Sequence, residues 1–156
     1  MKTLIIVRHG YYEDGTGNLT TYGQQQIKAL ANMLKDRLNG DKAKIVSSSA
    51  PRAEQSAKIL SESLGIGFKA HNFLWSGSDS CESPSPNLNR ALELIKGLRT
   101  KVVIVVTHFE YSAELPRHFG SVELDTQNFP RRQTEKGEAW VIDCKAKTCT
   151  RIVPTV

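Results

Sequence analysis

The sequence predicts an α/β domain built on a mainly parallel sheet. Two short and continuously apolar runs, residues 3–7 and 102–106, are typical of strands that are covered on both faces. Three segments between them place apolar residues at helical spacing. Strands that alternate with helices of this length are typical of α/β domains. No repeat or linker divides the 156 residues, so we expect a single domain over residues 1–156.

The first half of the chain predicts two strands and two helices. Residues 3–7 form the first strand, and a loop rich in Gly, Asp and Asn follows at residues 10–20. The first helix ends near Gly40, and its apolar stripe consists of Ile27, Leu30, Ala31, Leu34 and Leu38. Residues 44–47 are a shorter strand candidate. The second helix ends at Gly65, and its stripe consists of Ala53, Ala57, Leu60 and Leu64.

The start of the second helix carries two local signals. Ser49 is a plausible N-cap, because a serine hydroxyl accepts a hydrogen bond from a free amide at a helix start. Pro51 fits the first helical turn, where no N–H is needed. A helix that begins here would direct free backbone N–H groups toward an anion.

The second half predicts a third helix, a buried strand and a hairpin. Residues 75–86 show no periodicity and are expected to be a loop, and the helical stripe after it consists of Leu88, Ala91, Leu92, Ile95 and Leu98. The strand at residues 102–106 follows. Pro116 predicts that residues 110–119 form a short or kinked helix. Two β-rich runs within residues 137–153 flank residues 144–147, which indicates a hairpin.

Composition narrows the classes of partner. The net charge is +5, but apart from Arg131 and Arg132 the basic residues are scattered and are not interleaved with aromatics. We therefore expect a solvated basic surface with no nucleic-acid partner. The apolar run at residues 4–7 is too short for a secretion signal, and no stretch could span a membrane, so we expect a cytoplasmic protein with no membrane partner.

The three cysteines, Cys81, Cys144 and Cys149, give neither a metal-ligand spacing nor a disulfide framework. Cys144 and Cys149 could face each other across the predicted hairpin, although reduced thiols are the favoured interpretation.

Histidine and arginine side chains follow the predicted strands at the point where each strand ends. Arg8 and His9 come directly after the first strand, and His108 follows the strand at residues 102–106. Arg52 follows the strand at residues 44–47. Because ligands of open α/β sheets bind outside the carboxyl ends of the strands, we expect these four side chains to meet at one edge.

The types of these residues indicate phosphate chemistry. Arg8 and Arg52 carry planar, permanently charged guanidinium groups that suit phosphate oxygens. A histidine among them can attack phosphorus as a neutral nucleophile, while His108 helps to hold the transferring oxygens. The chain has neither a carboxylate cluster for Mg²⁺ nor a three-histidine zinc set, so we expect no metal and no other cofactor.

Four segments then resemble the motifs of the histidine phosphatase superfamily, which includes the phosphoglycerate mutases. Arg8-His9-Gly10 is similar to the family's signature after an N-terminal strand. The stretch from Leu19 to Gln26 is similar to its Leu-Thr-x-x-Gly-x-x-Gln motif, and the stretch from Ser47 to Ala57 is similar to its Ser-x-x-x-Arg-Ala-x-Gln-Thr-Ala motif. Residues 105–108 resemble the second histidine motif. The four matches occur in family order, which makes the resemblance specific.

The resemblance implies a three-layer α/β/α sandwich with a mainly parallel mixed sheet, as in phosphoglycerate mutase. It implies a nucleophile at His9 and phosphate ligands at Arg8, Arg52 and His108. The interval of residues 53–107 is too short for the helical cap insertion of many family members. The chain therefore resembles most the small bacterial branch that includes phosphohistidine phosphatases.

Two features depart from the family pattern. Phe109 stands where a glycine often follows the second histidine, and it would narrow the site or turn the chain differently. The proton donor is not evident: the family pattern favours Glu82, and Asp79, Glu110 or no fixed donor are the alternatives.

We expect a phosphatase that acts through a covalent phosphohistidine at His9. A phosphorylated protein, with phosphohistidine among the candidates, is the preferred substrate, because a site without a cap would admit a protein surface. A small phosphorylated metabolite is the first alternative. A non-catalytic phosphate-binding regulatory module is the second, and a mutase ranks low because the chain lacks material for a lid.

Overall fold

A six-stranded sheet forms the centre of the computed structural model, which describes residues 1–76 and 85–156. The strands are β1 Thr3–Arg8, β2 Ala43–Ser48, β3 Phe68–His71, β4 Val102–Thr107, β5 Ala139–Asp143 and β6 Thr148–Ile152. The helices are α1 Thr21–Leu38, α2 Pro51–Leu64, α3 Leu88–Gly97 and α4 Phe109–Glu123, and a short 3₁₀ helix, Asn72–Leu74, follows β3.

The strand order is β3-β2-β4-β1-β5-β6. The first four of these strands are parallel, whereas β5 runs antiparallel to β1 and β6 antiparallel to β5. In the register of β1 with β4, Arg8 lies opposite Thr107. The residues that follow these two positions, His9 and His108, therefore leave the sheet side by side at its carboxyl edge. The prediction of a mainly parallel mixed sheet is confirmed.

Helices cover both faces of the sheet, because alternate strand residues point to opposite sides. Ile5 and Val7 of β1 belong to one buried cluster together with the apolar stripes of α1 and α2. Leu4 and Ile6 belong to a second buried cluster together with the buried residues of α3 and α4. The three-layer α/β/α sandwich predicted from the resemblance is thus confirmed.

The hairpin near the C-terminus is also confirmed, since β5 and β6 flank residues 144–147. Cys149 lies opposite Ile142 in this hairpin, and Cys144 and Cys149 are both free thiols. Burial raises the pKa of the Cys149 thiol to about 12, which makes it a poor nucleophile. Cys81 lies outside the described residues.

The start of α2 differs from the prediction in one respect. Its N-cap residue is Ala50 rather than Ser49, and no side chain caps the helix. The hydroxyl of Ser48 instead accepts a hydrogen bond from the backbone N–H of Ala50 at 3.1 Å. Pro51 occupies the first helical turn, as predicted. The amides of Ala53 and Glu54 both donate to the Ala50 carbonyl, at 3.0 and 2.9 Å, so the first turn does not present the expected set of free N–H groups.

Pro116 lies inside a continuous helix of 15 residues, so the prediction that this helix is short was wrong. Proline cannot donate to the carbonyl four residues earlier, which is that of Ser112. The indole N–H of Trp140 on β5 donates to this carbonyl at 3.0 Å. A side chain from the neighbouring sheet thus replaces the hydrogen bond that the proline removes.

β3 was not predicted from the sequence. It is a short edge strand whose residues Phe68 and Lys69 are exposed, so it lacks the apolar pattern of a buried strand. Within the two described segments of the chain, no helix combines the length and the apolar character that crossing a membrane requires.

Candidate active site

A cavity of about 340 Å³ opens at the carboxyl edge of the parallel strands. The structure brings all four predicted side chains, Arg8, His9, Arg52 and His108, to its wall. The described residues that complete its lining are Tyr12, Trp75, Ser76, Phe109, Glu110 and Lys136. Three separate chain segments thus supply the predicted groups, as the strand-end argument required, whereas the roles of these groups remain predictions.

The hydrogen bonding of His9 fixes which ring nitrogen is available. His9 is 3% exposed, and its Nδ1 lies 2.9 Å from the carbonyl oxygen of Gly10. A carbonyl only accepts hydrogen bonds, so Nδ1 carries the proton. In the neutral ring Nε2 then keeps its lone pair, which is the state that a nucleophile at phosphorus needs.

His108 is held by the end of β2. Its Nε2 lies 2.7 Å from the hydroxyl oxygen of Ser48, which already accepts the Ala50 amide. Among the described residues the Ser48 hydroxyl has no other acceptor for its proton, so we assign the hydroxyl as the donor and Nε2 as the acceptor. The neutral His108 ring therefore carries its own proton on Nδ1. Trp75 stacks on the same ring at a centroid distance of 5.6 Å.

Both imidazoles are held in the neutral form. Burial, together with the charges of Arg52, Arg8 and Lys136, lowers the pKa of His9 to about 4. Burial, followed by the nearby His9, Arg52 and Arg8, lowers the pKa of His108 to about 2. The two rings lie 4.9 Å apart, so a proton on one disfavours a proton on the other. At neutral pH the site therefore presents uncharged imidazoles among fixed cations.

The two arginines keep donors free for a ligand. Arg8 donates from Nη1 to the carbonyl of Thr134 at 2.7 Å, which fixes its direction. Arg52, on the first turn of α2, places its guanidinium 4.4 Å from the ring centre of Tyr12 and 5.2 Å from that of Trp75. The buried Nε atoms of Arg8 and Arg52 have no hydrogen-bond partner among the described residues. Buried, unpaired guanidinium donors are the groups that an oxyanion would satisfy.

Motif residues that do not line the cavity support the loop that follows His9. Gln26 on α1 accepts a hydrogen bond from the amide of Tyr11 at 3.0 Å and donates to the carbonyl of Lys136 at 3.1 Å. Gly23 packs so closely that an added Cβ would lie 2.1 Å from the Tyr11 oxygen. Ser56 on α2 accepts a hydrogen bond from the amide of Gly10 at 3.2 Å. These contacts give Gly23, Gln26 and Ser56 a structural role, although none of the three lines the cavity.

Of the three candidate proton donors, the structure places only Glu110 at the cavity. Its Oε1 accepts hydrogen bonds from the backbone N–H and the hydroxyl of Ser76, at 3.2 and 2.8 Å. Asp79 and Glu82, the favoured candidate, lie outside the described residues. Both hydrogen bonds go to the same carboxyl oxygen and fix it toward Ser76.

The sequence did not indicate that Lys136 or Trp75 lines the cavity. Lys136 belongs to no motif and follows a loop, and only the fold brings it beside the first strand. Phe109, the departure from the family pattern, lines the cavity, and its ring centre lies 5.8 Å from the Arg8 guanidinium. It begins α4 with 53% of its surface exposed at the mouth of the cavity.

Other features of the described residues do not compete with this cavity as a phosphoryl-transfer site. A larger cavity of about 660 Å³ lies at the amino edge of the sheet, where Lys42, Arg99 and Lys101 line it without any histidine among the described lining residues. In the part of the chain that the structure describes, no group of three or more His, Cys, Asp or Glu side chains could hold a metal ion.

The first half of the chain is similar in sequence to a known family. A family model described as the histidine phosphatase superfamily (branch 1) matches residues 4–75. No curated protein matches the sequence significantly.

Solved structures share the fold over nearly the whole chain. The protein histidine phosphatase SixA complexed with tungstate has a TM-score of 0.72 at 19% identity, covering 97% of each chain. A Nakamurella multipartitia protein assigned as a phosphohistidine phosphatase SixA has a TM-score of 0.72 at 16% identity, covering 99% of this chain and 97% of that one. A mycobacterial glucosyl-3-phosphoglycerate phosphatase complexed with VO3 has a TM-score of 0.69 at 17% identity, covering 98% of each. Over residues 4–75, the chain is therefore similar in sequence to the histidine phosphatase superfamily, branch 1.

Proposed function

We propose that this protein is a phosphatase that removes a phosphoryl group through a covalent phosphohistidine at His9. The observation that carries the proposal is the Nδ1 contact of His9 with the Gly10 carbonyl, which leaves Nε2 as an unprotonated nitrogen in an arginine-lined cavity. The lowered pKa of His9 keeps that nitrogen unprotonated at neutral pH.

In the first step the lone pair of Nε2 attacks phosphorus, and the bond from phosphorus to the leaving group breaks with its electron pair. Arg8, Arg52 and the Nδ1 proton of His108 hold the equatorial oxygens, where charge accumulates. In the second step the oxygen of a water molecule attacks phosphorus, the N–P bond breaks, and phosphate leaves. His9 is then regenerated in its starting tautomer.

We further propose that the substrate is a phosphorylated protein and that phosphohistidine is a phosphorylated residue that suits this site. The carboxylate of Glu110 is engaged by Ser76, so the described part of the site favours a leaving group that needs little help from an acid. Phe109 is 53% exposed at the mouth, and nearby Tyr11 and Tyr22 are 45% and 50% exposed. Exposed aromatic side chains are typical of surfaces that contact proteins. One of the similar structures, SixA, is named as a protein histidine phosphatase.

The small-metabolite alternative has one observation in its favour, the similar fold of the glucosyl-3-phosphoglycerate phosphatase. Its reaction at His9 would follow the same two steps, so only the leaving group distinguishes the two substrates. A cytoplasmic location belongs to the same proposal, and the two free thiols Cys144 and Cys149 support it.

Mass spectrometry of the trapped intermediate tests the proposal. The protein is mixed with a phosphohistidine-bearing protein, with phenyl phosphate or with a sugar phosphate, and each reaction is quenched in base, where phosphohistidine survives. We expect a phosphoryl group on the peptide that contains His9, and turnover that His9→Ala abolishes. His118→Ala is the matched control, because His118 lies on α4 and is hydrogen-bonded to Asn89 away from the cavity. Equal, near-zero turnover of wild type and His9→Ala on every substrate would instead favour the non-catalytic phosphate-binding module.

A further inference from the structure

Lys136 carries a third fixed cation into the cavity, beside the two arginines. Its ammonium nitrogen lies 5.0 Å from the ring centre of Tyr11 and 5.4 Å from that of Tyr12. Cations at this distance are attracted to the face of an aromatic ring, so the two tyrosines restrict the position of the ammonium group. Tyr12 also contacts Arg52 and the edge of the His9 ring, which joins Lys136 to the phosphoryl-binding groups.

The backbone around Lys136 is fixed to the nucleophile itself. The amide of the next residue, Gly137, donates to the carbonyls of Arg8 and His9 at 3.1 and 2.9 Å. The carbonyl of Lys136 accepts a hydrogen bond from Gln26. Gly137 has a φ of 79° and lies so close to Gln26 that an added Cβ would be 2.9 Å from its side-chain carbon. The turn that carries Lys136 is therefore held by hydrogen bonds to the residues of the site.

The charge of the described lining residues shows what Lys136 adds. Within the lining, Arg8, Arg52 and Lys136 face one carboxylate, that of Glu110, so the lining residues alone carry a net charge of +2 when both imidazoles are neutral. The carboxylate of Glu135, outside the lining, also acts on Arg8. The net charge of the lining balances a phosphoryl group that carries two negative charges. Without Lys136 the same residues would balance only one, as in a phosphodiester.

We propose that Lys136 is a substrate-binding residue that selects dianionic phosphoryl groups over monoanionic ones. The inference rests on the proposed function, because it assigns a ligand to the same cavity. The ammonium group binds the phosphoryl oxygens from the side of Tyr11 and Tyr12. It acts on binding of the ground state and of the transition state alike.

Binding of two small anions tests this proposal without any turnover. Sulfate is a tetrahedral dianion, and methyl sulfate has the same centre with one charge fewer. Calorimetric titrations would be made with the wild type, Lys136→Met and Lys136→Arg. The matched control is Lys147→Met, because Lys147 lies in the turn before β6 and away from the cavity.

We expect Lys136→Met to weaken sulfate binding about tenfold or more, the cost of one charge-assisted hydrogen bond, and to weaken methyl sulfate binding much less. Lys136→Arg should retain most of the sulfate affinity, and Lys147→Met should match the wild type. Unchanged sulfate binding by Lys136→Met, beside measurable binding by the wild type, would overturn the assignment of Lys136 and leave the phosphatase proposal intact. A wild type that binds neither anion would overturn both proposals.

Discussion

The hydroxyl oxygen of Ser48 lies 2.7 Å from Nε2 of His108 and also accepts the amide of Ala50. Ser48 is the last residue of β2, and it links the start of α2 to the second histidine at the end of β4. It therefore determines which nitrogen of His108 carries the proton. Under the proposed function, a residue outside the cavity lining thus controls the hydrogen bond that His108 offers to a phosphoryl oxygen.

Replacing Ser48 by alanine should reduce activity more than it reduces folding. His108 would lose its positioning partner and the bias toward the Nδ1-protonated tautomer. We expect kcat/KM to fall roughly ten- to hundredfold, as for loss of a buried hydrogen bond to a binding group. Ser47→Ala is the matched control, because Ser47 is equally buried and its hydroxyl has no hydrogen-bond partner among the described residues. Similar losses of kcat/KM in the two variants would contradict the role assigned to Ser48.

The neutral histidines predict that stability falls in mild acid. The pKa of His9 is lowered to about 4 and that of His108 to about 2, from an ordinary value near 6.5. At pH values between each lowered pKa and 6.5, the unfolded chain binds protons that the folded chain does not, so the free energy of unfolding rises with pH. Stability should be full above about pH 6.5 and should decline as the pH falls toward 4, by up to about 3 kcal/mol for His9 alone.

Urea unfolding between pH 8 and pH 4.5 measures this decline. The double variant His9→Gln, His108→Gln cannot take up these protons, so its stability should decline less over the same range. Parallel pH profiles for the wild type and the double variant would show that other groups cause the decline. His71 lies away from the cavity, and burial lowers its pKa as well. It is present in both proteins, so its contribution to the decline is the same in each.

Gly23 is predicted to tolerate no side chain. A Cβ there would lie 2.1 Å from the carbonyl oxygen of Tyr11, a backbone atom of the loop that follows His9. We expect Gly23→Ala to lower the free energy of unfolding by roughly 1–3 kcal/mol and to impair turnover by displacing that loop. Gly97→Ala in α3 is the matched control, since a Cβ there would meet nothing within 4 Å. A Gly23→Ala variant with wild-type stability and activity would show that the loop has room to move.

The fold was predictable where a local sequence pattern marks a helix or a strand. The apolar runs of β1 and β4 and the stripes of α1, α2 and α3 appear in the sequence because each buries a continuous or periodic set of side chains. β3 was not predictable in this way, because an exposed edge strand has no such set. The full length of α4 was missed for another reason: the partner that compensates Pro116 is Trp140, which lies 24 residues further along the chain.

The site was predictable to the extent that it consists of residues at strand ends. His9 and His108 follow the neighbouring strands β1 and β4, so parallel pairing alone brings them together. Lys136 and Trp75 reach the same cavity from loops, whose course depends on tertiary contacts such as those of Gly137 with Arg8 and His9. No local pattern in the sequence encodes such contacts.

The hydrogen bond from Trp140 to the Ser112 carbonyl gives a last prediction, about stability. Trp140→Phe removes the indole donor and leaves this carbonyl, which Pro116 cannot serve, without its described partner. Part of the destabilisation, which we expect to be about 1–3 kcal/mol, comes from that unpaired carbonyl and the rest from lost packing. In a Pro116→Ala background the restored N–H can donate to Ser112, so the same Trp140→Phe change should cost about 1 kcal/mol less.

A double-mutant cycle measured by urea unfolding isolates this difference, because the lost packing of Trp140 is common to both backgrounds and cancels. Equal costs of Trp140→Phe in the two backgrounds would mean that the helix satisfies the Ser112 carbonyl in another way. A smaller cost in the Pro116→Ala background would show that a residue of β5 supplies the hydrogen bond that keeps α4 continuous. The same helix begins at Phe109, directly after His108, so its continuity bears on the position of the second histidine.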